Sequence, residues 1–194
     1  LGANGSWATS RAITLNGASN GSDLVIKAAN EADDTANNIT LSGTIVGTGG
    51  FTKTGGGTLT ISNSANLYSG STKIDSGTLL LSGAGSIGSS QDIVINGSNA
   101  KLVQASSSPI YYPMTLTLGT LDGTGTVSDV TVADDAANVV TNGNGAFGAL
   151  TMETLTFGGD AVASLKLNGT SPGINVIGDL ATTPANGQVV IEAS

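Results

Sequence analysis

The sequence predicts an all-β chain wound as a parallel β-helix, a solenoid of roughly nine turns, and three observations carry that prediction. Apolar residues recur in short runs at period two. Turn-forming dipeptides separate the runs: Asn-Gly at 16–17, 96–97 and 168–169, and Gly-Gly at 49–50. The triplet Gly-Thr-Leu returns at 57–59, 77–79 and 119–121, a spacing of 20 and then 42 residues. Alternation with turns suits a sandwich, a barrel or a solenoid equally. A period near 20 decides among them, because it is the mark of stacked supersecondary units.

The strands follow in order as Ile13-x-Leu15, Leu24-x-Ile26, Ile39-x-Leu41, Leu59-x-Ile61, Leu79-x-Leu81, Ile93-x-Ile95, Leu116-x-Leu118, Val130-x-Val132, Leu155-x-Phe157 and Leu165-x-Leu167. Each apolar pair points to one side of a strand, and the residue between it, often Thr, faces outward. Threonine suits that position because its branched Cβ fits the pleat. No stretch sustains an apolar period of 3.6. A single unit cannot bury its own apolar residues, so stacking builds one continuous core. Leu59, Leu79 and Leu121 are expected to stack as an aliphatic ladder, with the glycine before each Thr-Leu turning a corner. Asn66 is expected to cap a turn or to extend a ladder of side-chain amides.

The stretch 38–83 contains Gly50-Phe51-x-Lys53-x-Gly55-x-Gly57-Thr58-Leu59-x-Ile61, then Asn66-x-Tyr68-x-Gly70-x-Thr72-x-Ile74-x-x-Gly77-Thr78-Leu79. It resembles the passenger-associated transport repeat, the strand repeat of bacterial autotransporter passenger domains. A second pattern over 115–181 is similar to segments that follow such repeats: Leu118-Gly119-Thr120-Leu121-x-Gly123-x-Gly125-Thr126-Val127 with Val130-Thr131-Val132, then Asn168-Gly169-Thr170-x-Pro172-Gly173 with Val176-x-Gly178-Asp179-Leu180. The interval Val132–Leu150 departs from the family form, with Ala133-Asp134-Asp135 and Asn142-Gly143-Asn144-Gly145 where a strand is usual. The resemblance implies a right-handed coil, one β-helix over 1–194, and a bacterial surface or secreted location. It also implies a partner, an outer-membrane translocation barrel outside this fragment, and a role in folding and export.

Composition agrees with an ordered β chain. Hydrophobic residues make up 39%, charged residues 10% and aromatics 4%, with 29 Gly and 4 Pro. About 25% charged is ordinary, and disorder needs low hydrophobicity with high net charge. The net charge is −8, and Arg11, Lys27, Lys53, Lys73, Lys101 and Lys166 are scattered singly. A nucleic-acid binder needs clustered cations to displace counterions, so nucleic acid is excluded as a partner. Anionic membrane surfaces are disfavoured for the same reason. No apolar run approaches the roughly 20 residues of a spanning helix. Leu1–Asn4 lacks the features of a signal peptide, so the chain reads as a mature or excised segment.

The chain has no Cys and no His. That removes disulfides, thiolate metal sites and the Ser-His and Cys-His relays. Carboxylate chemistry remains, and some β-helices are polysaccharide-degrading enzymes. Paired acids must lie roughly 5–9.5 Å apart for glycoside hydrolysis. The candidates are Asp33-Asp34 and Asp134-Asp135, both in turn-like stretches, with the only Arg, Arg11, remote in sequence. The expectation is therefore no enzyme, no catalytic residue, no metal site and no cofactor. The Glu31-x-Asp33-Asp34 loop reads as an acidic turn before it reads as a calcium site. Gly55–Gly57 lacks the following Lys of a phosphate loop and reads as a turn. Tyr111 and Tyr112, between Pro109 and Pro113, are the binding candidates: Tyr offers contact area at low entropy cost. Against that, one ring is expected to cover the core. Trp7 is expected to cap an end of the coil or to meet sequence beyond it. The function expected is a non-catalytic passenger or stalk segment; the alternatives are an adhesin-type module for a host surface or glycan, and a polysaccharide-degrading enzyme.

Overall fold

The computed structural model describes residues 1–17, 24–142, 148–158, 164–167, 173–183 and 190–193. It is a β-solenoid with no helix among these residues, so none crosses a membrane as a helix. The first turn is β1 (Trp7–Thr9), β2 (Ile13–Leu15) and β3 (Leu24–Lys27). The second is β4 (Ile39–Leu41), β5 (Ile45–Gly47) and β6 (Phe51–Thr54), and the third β7 (Thr58–Ile61), β8 (Leu67–Tyr68) and β9 (Thr72–Ile74). Two long bent strands then link turns: β10 (Gly77–Gly83) leads to β11 (Ile93–Ser106), which ends one turn and begins the next, as does β12 (Met114–Gly123). β13 (Thr126–Val132), β14 (Val139–Thr141), β15 (Leu150–Gly158), β16 (Ser164–Leu167), β17 (Ile174–Val176), β18 (Leu180–Thr183) and β19 (Val190–Ala193) complete the coil.

Among the described residues every pairing between these strands is parallel. The fold class is as expected, and the turn count differs slightly from the roughly nine expected: among the described residues about six turns carry strand on all three faces. Turn length does not hold to the period near 20 throughout: Trp7 pairs with Ile39, 32 residues on, whereas Leu59 pairs with Leu79, 20 on, and Leu102 with Leu121, 19 on. At two turns the second face is no more than a bend near Ser89 or the single bridge Ile110–Val127.

The core is a set of columns one residue wide. Ile39, Leu59, Leu79, Leu102, Leu121 and Val140 follow one another in register, each wholly buried. The ladder predicted from Gly-Thr-Leu is therefore present. Leu102 fills the turn that the triplet skipped, because Ala100-Lys101 stands where Gly-Thr does elsewhere. A second column runs Ile26, Lys53, Ile74, Ile95, Leu116, Val132, Phe157. One expected pair shifts by two: Met114 accompanies Leu116 into the core, while Leu118, past a register break in β11–β12, is half-buried. Val139–Thr141 supplies a strand in the interval that departed from the family form.

Corner glycines behave as predicted where backbone crowds them. Gly77 has φ +66°, and a Cβ there would meet the Gly55 carbonyl oxygen at 2.2 Å. Gly57 has no positive φ, yet its Cβ would lie 2.1 Å from the Asn37 carbonyl oxygen. There it is close backbone approach, not left-handed conformation, that requires glycine.

Candidate functional site

The motif residues of 50–79 converge on two corners of the solenoid. Alternation along β6 puts Phe51 and Lys53 on the inner side, Thr52 and Thr54 on the outer. Lys53 thus takes a place in an aliphatic column, fully buried. Its stem continues the column and its ammonium reaches the corner beyond. There Nζ donates to the carbonyls of Thr54 (2.9 Å), Gly55 (2.7 Å) and Ser76 (2.8 Å). Burial pulls its pKa down to about 8. Three carbonyls use all three donors of an ammonium, and Ser76 lies one turn on, so Lys53 ties two corners together.

The opposite corner is organised by Asn66 and Tyr68. Asn66 Oδ1 accepts from the Ile45 amide (2.7 Å), while Nδ2 donates to the carbonyls of Asn63 (2.9 Å) and Ser86 (2.8 Å). One side chain thereby joins three successive turns. The Tyr68 hydroxyl lies 2.7 Å from the Thr72 hydroxyl, which donates to Ser90 Oγ (2.9 Å), which donates to the Gly70 carbonyl (3.0 Å). All three side chains are buried, so this chain of hydroxyls satisfies its own members. Burial raises the Tyr68 pKa, against its bond to Thr72, so the phenol stays neutral. Its ring packs on Phe51 at 5.6 Å between centroids, tilted 55°.

Residues 51–81 match the family described as Passenger-associated-transport-repeat, a span that holds Lys53, Asn66, Tyr68 and Thr72 of the two corners. The chain carries a passenger-associated transport repeat. The repeat and the solenoid together fit an autotransporter passenger segment. Comparisons with curated proteins and with solved structures give no significant match.

Outside the repeat, the remaining candidates divide. Tyr111 is exposed (75%), whereas Tyr112 is half-buried and packs on the core, so the two rings part as expected. Trp7 is likewise half-buried against the core, on the first turn. Asp33 Oδ1 accepts from the Thr35 amide (3.0 Å), which lowers its pKa, and Asp34, at φ 57°, pairs with Lys27 at 2.7 Å. Lys27 also meets Glu31 (3.6 Å), and its pKa is raised chiefly by Asp34. Asp135 Oδ1 caps the Ala137 amide at 2.8 Å. The two Asp pairs follow β3 and β13, five strand pairings apart, which at about 4.8 Å each separates them by about 24 Å. Gly55–Gly57 forms the corner beside Ala28, Ala29 and Asn37. The part of the second pattern at 168–172 lies outside the described residues.

Sequence reading missed three buried polar groups that hold later corners. Asn138 Oδ1 accepts from the Gly119 amide (3.0 Å) and Nδ2 donates to the Ala133 carbonyl (3.1 Å). Gln104 Nε2 donates to the Ser108 and Thr126 carbonyls at 2.8 and 3.2 Å. Asp122 is buried on the outer side of β12 and pairs with Lys101. For Gln104 alternation was the available signal, since it follows Leu102 at the inward spacing.

Proposed function

We propose that the chain is a non-catalytic passenger segment of a bacterial surface-displayed or secreted autotransporter-like protein, serving as a rigid stalk and assisting passenger folding and export. The partner in export is an outer-membrane translocation barrel elsewhere. One observation carries the reading: side chains of the repeat bond each turn to the next. Asn66 reaches Ile45 and Ser86, and Lys53 reaches Ser76, all within about one turn of sequence. A chain emerging in order finds each such partner soon after it emerges, and every turn stacks on one already formed. The candidate Asp side chains are tied up locally, Asp33 by the Thr35 amide, Asp34 by Lys27 and Asp135 by the Ala137 amide, and the two pairs lie on distant turns, which favours this reading over one groove of converging catalytic acids.

The test uses the full-length protein in its host. Lys53→Met and Asn66→Ala are expected to lower the fraction of passenger digested by external protease and to raise the fraction held in the periplasm. Surface levels equal to wild type, with both variants measurably less stable in vitro, would show that export does not use these corners.

A further inference from the structure

A cleft of about 530 Å³ opens on the corner where β10, β11 and β12 begin their first-face segments. It exists because one turn is longer than its neighbours. Leu79 pairs with Leu102, 23 residues on, where the preceding step is 20 and the following one 19. The extra residues sit at the register break after Ile95, and exposed Ser98 and Asn99 form a ledge over the floor at Gly77. Thr78, Lys101 and Thr120, adjacent in register on successive strands, form the back wall.

In a chain of net charge −8, the lining of this cleft holds no carboxylate. Its one charged side chain is Lys101, a quarter exposed, and the Asp122 paired with it is wholly buried. A quarter of the Lys101 side chain stays in solvent at this cleft, whose lining also holds the hydroxyl residues Thr78 and Thr120 and the amide residue Asn99. A second ammonium, Lys53, lies beneath the floor, close enough that a Cβ on Gly77 would be 2.7 Å from it. Concavity with a few convergent polar groups is the form of a ligand site. We propose that this cleft binds an acidic sugar residue of the uronate type, with its carboxylate toward Lys101 and its hydroxyls toward Thr78, Asn99 and Thr120. The site does not include the exposed Tyr111 ring.

The test is calorimetric titration of the chain with hyaluronan tetrasaccharide and with its carboxyl-reduced form, which keeps the hydroxyls and loses the charge. The acidic form is expected to bind with Kd on the order of 1 mM, the reduced form at least about tenfold more weakly, and added salt to weaken binding. Asn99→Ala, on the exposed ledge, and the double variant Lys101→Met/Asp122→Leu, which leaves no buried charge unpaired, are each expected to cost about tenfold or more. Circular dichroism confirms their fold. No binding of either sugar, equal binding of both, or acidic-sugar binding that survives both variants would overturn the proposal. So would loss in Tyr111→Ala with the cleft variants intact, which would move the site to the tyrosine loop.

Discussion

The Lys53 ammonium lies 2.8 Å from the carbonyl oxygen of Ser76, so one side chain from the second turn closes a corner of the third. Replacing it with Met keeps the apolar stem and strips donors from the Thr54, Gly55 and Ser76 carbonyls. Each buried group left unsatisfied costs about 1–3 kcal/mol. Urea unfolding of Lys53→Met should show a loss of at least that size. An unchanged midpoint would mean the cradle contributes nothing net.

The same residue sets a pH dependence. Its pKa is about 8 in the folded chain against an ordinary 10.5, so between those values the unfolded chain binds more protons. Stability then rises with pH across that window and is independent of this group below it. Subtracting the Lys53→Met curve from wild type between pH 7 and 10.5 isolates the effect. A difference that falls with pH would show the sign to be wrong.

Asn66 and Tyr68 should separate by magnitude. Tyr68→Phe keeps the ring on Phe51 and loses one hydroxyl bond, about 0.5–1.5 kcal/mol, while Asn66→Ala leaves groups on three turns unpaired and should cost more. Thermal unfolding of both variants orders them; the reverse order would refute this account of the corner.

Neighbours on one strand provide another contrast. Leu79 is wholly buried in the ladder and Leu80 faces outward, half-buried. Leu79→Ala should cost about 2–5 kcal/mol through lost transfer energy and a cavity, and Leu80→Ala distinctly less. Similar losses at both positions would argue against the column.

Asp122 is buried beside a Lys101 that keeps a quarter of its side chain in solvent. Lys101→Met strands the carboxylate, though with less than the about 3–5 kcal/mol of a wholly buried pair, because of that exposure. Lys101→Met/Asp122→Leu should recover most of the loss. A double variant worse than the single one would show the pair to be a net stabiliser.

Much of this was legible beforehand. Period-two alternation marked the inward residues, and Gly-Thr-Leu marked the turn, because each places one chemical type at one geometric position. The same alternation had Lys53 inward, two residues from Phe51, but a lysine reads as solvated until partners for its ammonium are in view. Ser76 is 23 residues away, and only the coil brings it near. Asp122 was hidden for a different reason: it lies on the outer side of its strand, and burial there depends on what neighbouring strands lay over it. The Asp pairs gave no hint of their separation, since distance along a solenoid counts turns and not residues.

What the sequence determined by itself is the inward-outward pattern, the parallel stack and the repeat, since all three follow from local spacing. The tertiary structure alone decided which polar groups are buried, how long each turn is, and where a cleft opens. Those depend on register between strands some twenty residues apart, where inserting two or three residues at a corner changes the surface and leaves the ladder beneath it intact.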